Sequence, residues 1–233
     1  MVGYSVCITI TQNMLILSLF FMVASALANR HCAPETIGGI TSSDPTYDVA
    51  RQQFASRMGP PNSTCFLHPA VIVYCKNDTD VLSTLAFATR CGYKVSVRSG
   101  GHNYAGYSSC VQGTRCLQLD VSQLETLHIV GNTVTVGVGL TLEQVVDELV
   151  PRGLLIPMGD CKTVGIGGHF QSSSFGFFTR AFGLGMDHLI SFRLTLKDGR
   201  IWTVTLAFAN HTTVGPPVVT KIVLRVPTIE QYV

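Results

Sequence analysis

Charge is scarce in this chain of 233 residues: Asp, Glu, Lys and Arg make up 13% of it, and the formal net charge is only +2. It holds no basic block that would mark a nucleic-acid surface and no acidic tail that would mark a disordered segment. Internal repeats are missing too. So is any long apolar run: residues 14–28 are about fifteen uncharged positions, short of the roughly 20 that a membrane-spanning helix needs. Extending the run upstream meets Ser5, Thr9, Thr11, Gln12 and Asn13. It closes on Ala26-Leu27-Ala28, a small-x-small pattern, and polar Asn29 and Arg30 follow at once. That layout predicts a signal peptide over residues 1–28, although no Lys or Arg precedes the apolar run. The expected mature chain is secreted, begins at Asn29 and has no stable membrane insertion after cleavage.

Seven cysteines remain beyond the leader: Cys32, Cys65, Cys75, Cys91, Cys110, Cys116 and Cys161. Exported cysteines are mostly paired, and an odd count leaves one over. Cys110 and Cys116 close a small loop around Gly113 and are the pair expected from spacing alone. Three N-x-S/T sequons, at Asn62, Asn77 and Asn210, fit an exported glycoprotein.

Residues 29–68 carry little pattern and are read as an amino-terminal segment. From residue 69 the signal sharpens. The β-branched run 70–75 predicts a strand, residues 80–90 have apolar positions at helical spacing with Gly92 as a stop, and 94–97 predicts a second strand. A β-α-β unit is the economical reading. Residues 117–121 predict another strand, and Val134, Val136 and Val138 alternate with Thr133, Thr135 and Gly137 as on a half-buried one. Thr141 and Gln144 form a capping box for a short helix whose apolar face would be Val145, Val146, Leu149 and Val150. Residues 189–204 predict a hairpin turning at Asp198-Gly199, and 218–226 a last strand. The fold class is mixed α+β.

Two segments are candidates for chemistry. Arg98-Ser99-Gly100-Gly101-His102 closes a strand, and two glycines there let backbone approach a ligand closely and offer free N–H groups to a pyrophosphate. A strand followed by two glycines is also just a tight turn. The second segment, residues 159–187, opens with Cys161 and runs through Gly165-Ile166-Gly167-Gly168-His169. A plain glycine-rich loop is again the bland alternative. Zinc is disfavoured because neither His102 nor His169 has a partner at metal-ligand spacing, and no G-x-S-x-G surrounds Ser172-Ser173-Ser174 as a serine hydrolase requires.

Together, in this order and spacing, strand-R-S-G-G-H and C-x-x-V-G-x-G-G-H, followed by a Gly/Ser stretch, R-x-x-G-L and Asp187, resemble the berberine bridge enzyme-like and glucooligosaccharide oxidase-like FAD-linked oxidoreductases. The resemblance runs from about residue 69 to 199. It implies a PCMH-type (vanillyl-alcohol-oxidase-like) FAD-binding domain of two small α/β subdomains over 69–227, with residues 228–233 a truncated end and the substrate domain missing. It implies bicovalent FAD, with His102 bonded to the flavin 8α-methyl carbon and Cys161 to C6. Arg98, Ser99, Gly100, Gly101, Asn103, Gly165, Gly167, Gly168 and His169 would line the cofactor, and Val164 matches a position where valine accompanies reaction with oxygen. Cys32–Cys91 follows the family's habit, which leaves Cys65 with Cys75 among the fifteen pairings that six cysteines allow.

The activity so implied is hydride removal from an alcohol of a small molecule, a carbohydrate, with oxygen as acceptor. The cofactor carries that chemistry and the protein supplies position and electronics. The alternative is an FAD-binding remnant without turnover. Gln171-Ser172-Ser173-Ser174 stand where the family has a glycine run, and serine Cβ atoms are expected to crowd the cofactor loop. Residues 206–217 replace a longer family segment, and the catalytic base is expected in a part absent from this chain.

Overall fold

In the computed structural model, the structure describes residues 31–54, 67–205 and 218–227. The leader, Cys65 and the sequons at Asn62 and Asn210 lie outside those residues. Among the described residues no helix is long and apolar enough to cross a membrane.

The first unit is a three-stranded parallel sheet. Strands β1 (Val71–Tyr74), β2 (Lys94–Arg98) and β3 (Cys116–Asp120) lie in the order β1-β3-β2. The crossover from β1 to β2 is a helix, Asp78–Cys91, whose start and stop follow from single residues. Asn77 caps it by accepting from Asp80 N–H at 3.0 Å, and Gly92 ends it at φ 67°. The β-α-β reading holds, but β3 inserts between the two strands it joins. All five β3 residues are buried, Gln118 and Asp120 included, and a strand with polar groups that deep needs partners on both edges and beneath it.

The second unit is an antiparallel five-stranded sheet. β4 (Leu127–Val130), β5 (Thr133–Gly137), β6 (Leu189–Thr195), β7 (Ile201–Thr205) and β8 (Val218–Arg225) run in the order β4-β5-β8-β6-β7. The expected hairpin turns at Gly199, φ 87°, where Leu196 N–H donates to Arg200 C=O. Val134 and Val136 are fully buried, as their alternation predicts. The helix Leu142–Leu149 carries the capping box, with Thr141 and Gln144 exchanging hydrogen bonds. Its buried stripe is Leu142, Val145 and Leu149, whereas Val146 and Val150 face outward. The i, i+3, i+7 set lies on one helical face, and the expected four-residue face did not respect that angle.

Both sheets feed one apolar core, from Val71, Leu117 and Leu119 across to Val136, Ile166 and Leu224. Residues 31–54, patternless in sequence, are part of this body. Ile40 pairs with Ile72, and Cys32–Cys91 ties this segment to the crossover helix. Cys110–Cys116 also forms. Cys75 does not pair with Cys65: it is a free thiol. Strand alternation puts Val71, Val73 and Cys75 on the core face, where the Cys75 sulfur lies 3.8 Å from the Thr84 hydroxyl. Burial pushes that thiol up to about 12.

Candidate functional site

The loop leaving β2 and the loop entering the short helix Ile166–Gln171 meet at the junction of the two sheets. A cavity of about 970 Å³ opens there, at the upper end of the roughly 300–1,000 Å³ typical of cofactor and ligand sites. From the first loop Ser99, Gly100, Gly101, His102 and Asn103 line it. From the second come Val164, Gly165, Gly167, Gly168 and His169. Ten of the twelve residues singled out in the sequence therefore share one wall. Arg98 is buried behind the first loop, and Cys161 is not among the lining residues: its place is known from Thr163, whose hydroxyl lies 4.0 Å from its sulfur.

Missing side chains bring the two loops together. A Cβ on Gly100 would stand 2.3 Å from Gly165 N, and one on Gly165 would stand 2.1 Å from the Ser99 hydroxyl oxygen. Gly168 differs: beyond its own helix, its Cβ would meet only open space. It lines the cavity as exposed, bare backbone.

His102 sits where the loops touch. Its Nε2 is 2.9 Å from the Thr163 hydroxyl, and Phe54 stacks on its ring at 3.9 Å with 16° between planes. Burial holds its pKa below the ordinary imidazole value of 6.5, against a smaller, opposing hydrogen bond that the ring donates to the Thr163 backbone. His169 is depressed by the same cause. Its Nε2 accepts from Gly159 N–H at 3.1 Å, which places its proton on Nδ1. Both imidazoles are therefore neutral near pH 7. The Cys161 sulfur is half-exposed and 4.0 Å from the same Thr163 hydroxyl.

Arg98 acts from below. Its guanidinium forms a buried ion pair with Asp120, donates to the carbonyls of Ala50 (2.7 Å) and Gln52 (3.1 Å), and reaches the Tyr74 hydroxyl at 3.2 Å. Phe54 N–H then donates to Gly101 C=O at 3.1 Å. Arg98 thus holds the segment that lays Phe54 over His102. Sequence reasoning missed Phe54 and Thr163. Phe54 lies in a stretch with no periodicity, and Thr163 looked like a spacer between Cys161 and Val164.

The serines at 173 and 174 take left-handed backbone, φ 71° and 54°, as glycines would. Ser174 is buried with its hydroxyl donating to Pro157 C=O at 3.0 Å, so it turns away from the cavity. Ser172 alone of the three serines lines the cavity wall. Ser173 and Ser174 thus carry backbone strain, whereas Ser172 keeps a side chain on the cavity wall.

The bare glycine backbone and the two neutral histidines on the cavity wall fit a flavin dinucleotide. Comparison with known proteins agrees. The FAD binding domain family matches residues 69–205. Berberine bridge enzyme-like 23 of Arabidopsis thaliana is 31% identical over 138 residues, covering 58% of this chain and 26% of that protein. FAD-linked oxidoreductase pynB of Aspergillus niger is 34% identical over 148 residues, covering 61% and 26%. A variant of Physcomitrella patens BBE-like 1 superposes with a TM-score of 0.71 at 25% identity, over 84% of this chain and 44% of that one. The chain spans about a quarter of the length of these curated relatives.

Proposed function

Because the chain belongs to the FAD binding domain family, with berberine bridge enzyme-like relatives and a PCMH-type fold, we propose that it holds FAD covalently at two points. His102 takes the 8α-methyl carbon and Cys161 takes C6. The observation that carries this reading is convergence: two residues far apart in sequence lie on one hydroxyl, beside the bare glycine backbone. Each attachment breaks a C–H bond of the flavin and an N–H or S–H bond of the protein. It forms the C–N or C–S bond, and the two hydrogens with their electrons pass to dioxygen as hydrogen peroxide. A neutral imidazole is the form needed for the first, and burial supplies it.

The bound group would supply hydride acceptance. The chain's own contribution would be to hold that group with His102, His169 and Gly168, which line the cavity. We read the whole protein's activity as oxidation of an alcohol, in a carbohydrate, with dioxygen as acceptor. The carbohydrate part of this reading draws on a structural likeness to Phl p 4, a grass pollen allergen with glucose dehydrogenase activity (TM-score 0.70, 21% identity, 81% of this chain and 41% of that one). Val164, half-buried on the cavity wall, is the residue we assign to oxygen access. Export and glycosylation at exposed Asn77 complete the reading, supported by the two disulfides.

Acid precipitation of the purified chain tests attachment: the pellet should stay yellow. His102→Ala should leave a link through Cys161 only, Cys161→Ala a link through His102 only, and the double variant should release all flavin. Covalent flavin in the double variant would refute the assignment. Bound flavin without peroxide formation on any sugar would identify a flavin-holding unit without turnover.

A further inference from the structure

We propose that Thr163 is the shared positioning residue of the two attachment points, its hydroxyl accepting from His102 Nε2–H while donating to the Cys161 sulfur. The inference rests on the covalent reading above and deepens it. A threonine hydroxyl has one proton to give and lone pairs to accept with. Between a ring nitrogen at 2.9 Å and a sulfur at 4.0 Å, it can serve both at once. With its proton directed to sulfur, it must accept from the imidazole. That fixes the His102 proton on Nε2 and leaves Nδ1 as the unprotonated, attacking nitrogen. The opposite polarity would put the proton on Nδ1 and block attack there.

The geometry supports this role from three sides. Phe54 covers one face of the imidazole, so the ring cannot swing away from Thr163 in that direction. The missing Cβ of Gly100 is what admits the second loop, since that atom would stand 3.0 Å from the Thr163 carbonyl oxygen. Thr163 is also exposed. When Nδ1 forms its bond to carbon, the Nε2 proton therefore leaves through the hydroxyl to water, and the attached imidazole is neutral.

Two readouts on the full chain test it. In flavin-free protein from a riboflavin-starved host, nitrogen-15 shifts of His102 should show the Nε2–H tautomer. Thr163→Val should turn this into a mixture, and Thr163→Ser should restore it. On adding FAD in air, Thr163→Val should slow covalent capture about 10- to 100-fold at both points, the range expected for one lost hydrogen bond near a forming charge. Thr163→Ser should stay within about threefold of wild type on the same scale. Peptide mass mapping separates the His102 and Cys161 links. Wild-type tautomer and capture rate in Thr163→Val would overturn the proposal, and so would slowing at Cys161 with none at His102. If wild type captures no flavin covalently, the attachment reading fails. The nitrogen shifts still decide whether Thr163 sets the tautomer, and an Nδ1–H signal in wild type refutes it outright.

Discussion

The two loops that meet at the cavity are held by different means. The one after β2 rests on side chains: Arg98 and Asp120 form a buried pair beneath it, and Arg98 also gathers the carbonyls of Ala50 and Gln52. The one from 159 to 176 rests on close backbone approach and on two serines held in left-handed conformation. The first arrangement is rigid because breaking it strands a charge in the core. The second is tolerant, because its cost is spread over dihedral angles that glycine or local movement can relieve. A cofactor fixed at one point on each loop would thus have a firm anchor at His102 and a more adaptable one at Cys161.

The contrast predicts unequal sensitivity. Asp120→Asn should be the most damaging change. It leaves the Arg98 guanidinium buried without its counter-charge, at a cost of about 3–5 kcal/mol, and the midpoint of urea unfolding should fall accordingly. The same variant should loosen Phe54 from His102, so covalent capture through His102 should suffer more than through Cys161. Equal loss at both points would break the comparison.

Gly100→Ala strikes where the loops touch. Its Cβ has no room against Gly165 N, and overpacking of this kind costs about 1–3 kcal/mol. Flavin retention should drop sharply while most stability survives, as read by bound absorbance against thermal unfolding.

Acid should act through the histidines of both loops. His102 and His169 have pKa values lowered by burial, so below about 6.5 the unfolded chain binds more protons than the folded one. Their contribution to stability is intact above that pH and is lost as pH falls through the depressed folded values. His169→Gln keeps an acceptor for Gly159 N–H and should flatten the acid limb of the stability profile.

The smallest effect belongs to the strained serines. Ser173→Gly relieves a φ of 71° and should stabilise by about 1 kcal/mol or less, since glycine's added freedom in the unfolded chain offsets part of the gain. Ser174→Gly gives up the hydrogen bond to Pro157 and should be near neutral. Matching gains at both positions would show that the Pro157 contact contributes nothing.

Several local features were legible because their cause lies within a few residues. Asn77 and Gly92 bound a helix, the Thr141–Gln144 box starts another, and Gly199 turns a hairpin. The same holds for the Cys110–Cys116 loop. The two glycine motifs were legible only through their resemblance to a family, since each alone reads as a tight turn, and the structure does bring both loops to one cavity. Cys75 shows the limit. Counting cysteines favoured a disulfide, but strand alternation sends its thiol into the core beside Thr84.

Sequence by itself thus determined which elements form and which two glycine-bearing loops would face one cavity. Capping, alternation and left-handed turns are settled by neighbours in the chain. Tertiary structure decided where those residues point. It placed β3 between β1 and β2, turned Arg98 inward to Asp120 and the segment bearing Phe54, and brought Thr163 to His102. Such contacts join residues 22 to 61 positions apart. They arise only when two sheets pack on one core and buried polar groups must find partners there, a condition that no short window of sequence contains.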